Sequence, residues 1–250
     1  LNTGRSAGYG AALLAYVPGV SAVIVENGGA WFDGADQRHE EERHATLRCP
    51  MSATVLAEER GRLHALRLRT GHALGLALTP TADDAFRLTD HTVVRRVPTG
   101  PAGAEALARL RALVQEETDG AGDILASSVH IHFMIDHAPP DSPGALRVPR
   151  SKADGALRLL QRRGVTDAAQ VLRRHAAVVG DSGNDASLFA PGLFALTVGV
   201  ANIVPYLPEL SARGAAPPQH ITREAEDLGV VELIDDLLAG RFAEHAAAAG

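Results

Sequence analysis

The chain has 250 residues, with 24 Lys and Arg against 30 Asp and Glu, a net charge of −6, and 46% hydrophobic residues, enough for one large domain or a core with a smaller companion. The acidic balance argues against a nucleic-acid-binding surface, the lone Cys49 cannot close an internal disulfide, and no apolar run approaches the ~18 residues of a membrane span. A soluble, cytoplasmic protein without a membrane or nucleic-acid partner is expected.

In chain order, Thr3-Gly4-Arg5-Ser6 reads as the loop after a strand, where the Thr3 hydroxyl and neighbouring amides can hold oxyanions. Arg5 admits two readings, a surface ion pair or a substrate-side cation. Residues 7–16 carry Ala11, Leu14 and Ala15 on one face and predict a helix stopped by Pro18-Gly19. Val23 to Val25 is the next buried strand.

From Trp31 to about Arg147 the composition shifts toward Arg, His and Thr. Alternation over Arg62 to Arg69 predicts a strand, and Leu107, Leu110, Leu113 and Val114 predict a helix over 103–118. Val129 to Ile135 alternates again, with His130, His132 and Met134 on one face and Val129, Ile131, Phe133 and Ile135 on the other. The His130/His132 pair fits a metal site, donors to a bound substrate, or a solvated sheet face, the last being the simplest reading. Pro139 to Gly144 is the most linker-like stretch and a candidate hinge.

Ser151 is then a plausible cap for a helix whose inward stripe is Ala153, Ala156, Leu157 and Leu160. Lys152 in the first turn opposes the helix dipole, so either a bound anion or chance on a solvated face accounts for it. Asp167 caps a further helix, and the apolar run Ala176 to Val179 leads into Gly180-Asp181-Ser182-Gly183-Asn184-Asp185. An apolar strand ending in a Gly-rich acidic turn presents carboxylates at the carboxyl edge of a parallel sheet. Asp181 and Asp185, four residues apart, can approach one hard cation, and oxygen-only donors suit Mg²⁺ better than zinc. The plain alternative is a solvated turn capping a helix. Leu193 to Val198 predicts another strand with Asn202 at its exit, by turn chemistry or beside a site. Val230 to Leu238 predicts a closing amphipathic helix before the Ala-rich end, Ala246 to Ala249.

Thr3-Gly4-Arg5, the later Lys152, and Gly180 to Asp185 together resemble motifs two, three and four of the haloacid dehalogenase superfamily, in its capped phosphatase branch. Val23 to Ala30 resembles the strand and Asn-Gly turn where the cap begins. The tail, with Val200-Ala201-Asn202, His220-Ile221-Thr222 and Gly229 to Leu233, resembles the end of the core in Cof-type, sucrose-phosphate and mannosyl-phosphoglycerate phosphatases. The resemblance covers both ends of the chain and fades in the middle.

What the resemblance implies is an α/β protein: a Rossmann-like, doubly wound parallel core from residues 1–30 and 147–250, with an inserted α+β cap over 31–146. It further implies a Mg²⁺-dependent phosphomonoester hydrolase acting on a small sugar phosphate through a phosphoaspartate, as monomer or homodimer. Asp181, Asn184 and Asp185 would hold Mg²⁺ or its shell, Lys152, Thr3 and Asp185 would serve catalysis, and Thr3, Gly4, Arg5, Lys152 and Asn202 would bind substrate. The family's first motif, an Asp-x-Asp pair that supplies the nucleophile, has no counterpart before Thr3. The expectation is therefore a fragment lacking one βα unit, inactive by itself. A non-catalytic phosphosugar-binding or regulatory protein is the alternative.

Overall fold

In the computed structural model, residues 1–34, 47–49, 51–136 and 150–242 are described. The linker-like Pro139–Gly144 and the Ala-rich end lie outside them. The chain divides into two compact units, one of Leu1–Arg96 with Arg109–Leu159, the other of Val97–Ala108 with Leu160–Gly250.

The first unit begins with a helix, α1 (Ala7–Tyr16), and two strands, β1 (Ala22–Val25) and β2 (Ala30–Asp33), paired antiparallel. A short third strand, β3 (Leu47–Arg48), joins β2. Leu1 to Thr3 runs parallel to β1: Ile24 donates its amide to Leu1 (2.8 Å) and Thr3 donates to Ile24 (2.9 Å). Ala7, Val23, Val25, Ala30 and Phe32 form the apolar centre here. Between β1 and β2, Glu26, Asn27 and Gly28 take φ of 51°, 54° and 95°, a left-handed turn that Asn and Gly tolerate best.

The same unit contains a second antiparallel sheet of β4 (His91–Val94), β5 (Gly122–Ala126) and β6 (His130–Ile135), with β6 central. Its helices are α2 (Ala53–Leu74), the second half of α3 (Pro101–Glu116), from Arg109 on, and the start of α4 (Lys152–Arg162). The strand predicted over Arg62–Arg69 is instead the middle of α2. Leu63, Leu66, Arg67 and Thr70 are its buried residues, and their spacing is helical; the alternation nearby involves exposed side chains. Ser52 Oγ caps α2 by accepting from the Val55 amide (3.3 Å), and Gly75, with φ 63°, ends it.

In the second unit, α5 (Ala168–His175) leads into a parallel sheet of β7 (Ala177–Gly180), β8 (Leu196–Gly199) and β9 (His220–Ile221). Asp167 caps α5 by accepting from the Gln170 amide (3.0 Å). Between β8 and β9 lies α6 (Leu207–Ala212), and α7 (Glu226–Leu238) closes the unit. Leu196, Val198 and Leu233 pack on one side, while Ala186, Phe189, Ile203 and Leu210 form another cluster. Predicted helices over 7–16 and 103–118 and strands at Val23 and Val129 thus appear with shifts of a few residues. The whole is a mixed α/β protein with parallel and antiparallel sheets. Among the described residues, no helix is long and apolar enough to cross a membrane.

Candidate functional site

The parallel sheet delivers its acidic turn as the strand spacing implies. β7 ends at Gly180, where a β-carbon would lie 2.8 Å from Asp185 Cβ and 2.9 Å from Phe189 Cζ, so only glycine lets the following 3₁₀ helix, Gly183–Phe189, fold back this closely. Asp185 is buried, and its Oδ2 accepts from the amides of Asp181 (2.9 Å) and Ser182 (3.2 Å). Ser182 Oγ donates to Asn184 Oδ1 (2.8 Å) and approaches Asp181 Oδ1 (3.3 Å). Asp181 itself is exposed.

That arrangement separates the two carboxylates by task. Asp185 shapes the loop, while Asp181 is exposed. The donors of Asp181, Asn184 and Asp185 are all hard oxygens, which fits Mg²⁺ and disfavours softer metals. Asn202 Nδ2 lies 3.5 Å from the Asp181 carbonyl oxygen, and its Oδ1 accepts from the Glu226 amide (3.0 Å). Asn202 therefore sits beside this loop, tying it to the start of α7.

Thr3, Gly4, Arg5 and Lys152 come together in the first unit. Asn27 donates its amide to the Thr3 carbonyl (3.2 Å), Glu26 donates to Arg5 (3.0 Å), and Asn2 Nδ2 donates to the Lys152 carbonyl (2.7 Å). Thr3 Oγ1 accepts from the Arg5 amide (3.2 Å). Ser151 Oγ caps α4 by accepting from the Asp154 amide (3.1 Å), as its position before the helix predicts. Lys152 is 5% exposed, so the ammonium is no ornament of a solvated face. Arg5 is exposed, with its guanidinium 5.5 Å from the Tyr9 ring centroid.

Behind this loop lies a buried charged network that sequence reasoning missed. Arg87, fully withdrawn from solvent, donates to the Gly4 carbonyl (2.8 Å), to both Asp90 oxygens (3.1 Å each) and to Asp83 (2.9 Å). Burial alone would raise the Asp90 pKa, but the Arg87 charge and the His132 hydrogen bond hold it down to about 2. Glu26, also fully buried, accepts from Leu88 N (3.0 Å), Thr89 N (2.7 Å), Thr89 Oγ1 (2.7 Å) and Ala7 N (3.3 Å). Burial and the neighbouring Asp90 charge push its pKa up despite those donors. Arg150 donates to the Thr89 carbonyl. The sequence offered one signal for this network, the polar run Asp83 to Thr92 within an otherwise ordinary segment.

The solvated-face reading of His130 and His132 fails. His132 and Met134 are 1% and 2% exposed, while His130 is half-buried, with the two imidazole centroids 6.0 Å apart. Alternation identified the shared face but carried no information on what covers it.

No protein-family model matches the sequence, and a search of curated proteins finds no match. In structure the chain is similar to the sucrose-phosphatase of Synechocystis sp. PCC6803, solved with sucrose and phosphate, at 19% identity and a TM-score of 0.58, over 93% of this chain and 81% of that one. The Thermoplasma acidophilum protein 0175 matches at 15% identity and a TM-score of 0.58, over 94% and 80%. A haloacid dehalogenase-like hydrolase from Bacteroides thetaiotaomicron matches at 16% identity and a TM-score of 0.47, over 94% and 84%. At these identities the likeness is one of fold.

Proposed function

We propose that this protein is a Mg²⁺-dependent phosphomonoester hydrolase acting on a small phosphorylated sugar or polyol. The observation that carries the reading is Lys152: a nearly buried ammonium in the first turn of α4, its backbone tied by Asn2 to the loop of Thr3, Gly4 and Arg5. A cation in that place opposes the helix dipole and loses hydration, and a phosphoryl group offsets both costs. The oxygen-donor loop of Asp181, Asn184 and Asp185 adds a second feature that phosphoryl chemistry requires. The sucrose-phosphatase relative in fold, solved with sucrose and phosphate, supports the choice of a sugar phosphate.

In this reading the doubly wound core comprises residues 1–30 and 147–250, and 31–146 form the cap. Thr3 Oγ1 and the Gly4 amide hold phosphate oxygens, Arg5 meets the substrate, and Lys152 neutralises phosphoryl charge. Asp181 holds the ion directly, Asn184 and Asp185 fix its shell, and Asn202 orients the loop. Bound Mg²⁺ would supply further charge neutralisation at the phosphoryl oxygens. None of the carboxylates described above is assigned as the phosphoaspartate nucleophile.

The test is phosphate release from a panel of hexose, pentose and polyol phosphates, alongside equilibrium binding of inorganic phosphate. Both should require Mg²⁺, and Asp181→Ala should abolish both. The absence of both phosphate release and Mg²⁺-dependent phosphate binding would overturn the proposal.

A further inference from the structure

The last strand and the closing helix of the second unit bring an imidazole to two carboxylates that the proposed phosphate chemistry does not use. His220 stands on β9, and Glu232 and Asp236 stand four residues apart on one face of α7. One ring nitrogen of His220 and one oxygen of each carboxylate lie within 4.8 Å of one another. Yet among the described residues no hydrogen bond joins the imidazole to either acid, and His220 Nε2 is buried without a partner. An unmet buried nitrogen is costly, and so is drawing two carboxylates together when their side chains are 12% and 11% exposed.

Both acids are held in place without being used up. Glu232 Oε2 accepts the amides of Arg223 and Glu224 (3.0 Å each), which fixes the carboxylate, while Oε1 accepts from the Arg223 guanidinium (3.2 Å). Arg241 donates to Asp236 Oδ1, and Oδ2 accepts no hydrogen bond among the described residues. Both arginine side chains are exposed, at 88% and 58%, and exposed ion pairs of this kind exchange readily. Glu232 and Asp236 also line a surface cavity with Arg223 and Arg241, which leaves a way in from solvent. The Phe242 ring meets the imidazole edge to face, at 5.3 Å between centroids, and restrains it.

A second orphaned imidazole serves as an internal comparison. His91 Nε2 is likewise buried without a partner, but its Nδ1 lies 2.7 Å from Asp84 Oδ2, and Asp84 also accepts from Arg60 and from the Thr92 amide. That pair is closed on itself.

We propose that His220, through Nε2, with Glu232 and Asp236, forms a site for one divalent transition ion of the Zn²⁺ class that joins β9 to α7. The donor set decides the class of ion. An imidazole nitrogen with two carboxylate oxygens suits zinc, whereas the oxygen-only donors around Asp181 suit Mg²⁺. Bonds of about 2.1 Å to a tetrahedral ion set its ligands about 3.4 Å apart, so atoms within 4.8 Å of one another need to close by no more than about 1.4 Å. Three protein donors leave the fourth position to water. The inference does not depend on the phosphomonoester reading.

The deciding experiment is titration calorimetry of the untagged, chelator-stripped protein with Zn²⁺, run in excess Mg²⁺ so that the acidic turn does not compete, together with nitrogen NMR of the histidine-labelled protein. One equivalent of Zn²⁺ should bind, and the Nε2 resonance of His220 should be the imidazole signal that moves. His220→Phe and Asp236→Asn should each weaken binding about tenfold or more, and Asp181→Ala should bind Zn²⁺ as the parent does. Affinity retained in both His220→Phe and Asp236→Asn, a shift at another histidine with His220 unmoved, or no binding at micromolar Zn²⁺ would overturn the proposal. Loss of binding in Asp181→Ala with His220→Phe unaffected would place the ion in the acidic turn and overturn it equally. The resonance is read on the unaltered chain, so misfolding of a variant cannot shield the idea.

Discussion

A β-carbon on Gly28 would stand 2.0 Å from the carbonyl oxygen of Ser151, so the turn after β1 and the residue that caps α4 touch through bare backbone. Gly155 repeats the device one turn later, where a β-carbon would meet Ile24 Cγ2 at 2.7 Å and Gly28 Cα at 2.9 Å. Close approach here is what sets Lys152 beside the Thr3 loop.

Gly28→Ala should therefore destabilise the protein by about 2 kcal/mol or more, since it combines a backbone clash with a left-handed φ of 95°. It should also weaken phosphate binding through Lys152. Gly8→Ala, in α1 with open space around the new methyl, should instead be neutral or gain about 0.5–1 kcal/mol from helix propensity. Denaturant unfolding of both variants checks the contrast; equal effects would mean that the contact is slack.

Glu26 joins α1 to the polar run before β4 by accepting from Ala7, Leu88 and Thr89. Glu26→Gln removes a buried charge, which is favourable, but turns an NH₂ group toward amides that also donate. The second effect should prevail, because both side-chain oxygens are already engaged by donors, with a net loss of about 2 kcal/mol. Calorimetric melting checks the sign, and a more stable variant would show that burial of the charge outweighs its hydrogen bonds.

Acid should weaken the Asp90 network. Its folded pKa of about 2 lies below the ordinary 3.8, so the stabilisation is full above 3.8 and is lost as pH falls through about 2. The difference corresponds to about 2 kcal/mol. His132, whose pKa is also lowered, adds a loss in the same direction once pH falls below 6.5. Glu26 works oppositely: burial raises its pKa, so its contribution is present below 4.5 and fades as pH rises. Asp90→Asn should flatten the acid limb of a stability–pH curve below about pH 4, and an unchanged limb would remove Asp90 from the account.

Local signals made much of this fold legible. The Ser151 and Asp167 caps, the helical spacing of Leu107 to Val114 and the apolar run into Gly180 each depend on residues within a turn or two of one another. The strand predicted at Arg62–Arg69 failed because eight residues can satisfy alternation while the buried set, spread over Leu63 to Thr70, follows the longer helical period. Arg87, Asp90 and His132 were invisible as a group for a different reason. Their partners lie 42 and 83 residues away along the chain, and composition marks polar residues without saying which of them fold inward.

The two aspartates of the acidic turn should separate cleanly on mutation. Asp181 is exposed, so Asp181→Asn should leave stability within about 0.5 kcal/mol of the parent while greatly weakening Mg²⁺ binding. Asp185 is buried and gathers the amides of Asp181 and Ser182, so Asp185→Ala leaves two donors unmet beneath Gly180. That should cost about 1–3 kcal/mol and release those two amides to faster hydrogen exchange. Mg²⁺ affinity should fall in both variants, by loss of a ligand in one and of loop order in the other. Titration calorimetry together with amide exchange distinguishes the causes. Mg²⁺ binding undiminished in Asp181→Asn would remove the metal from this loop, and slow amides in Asp185→Ala would show that the turn holds itself.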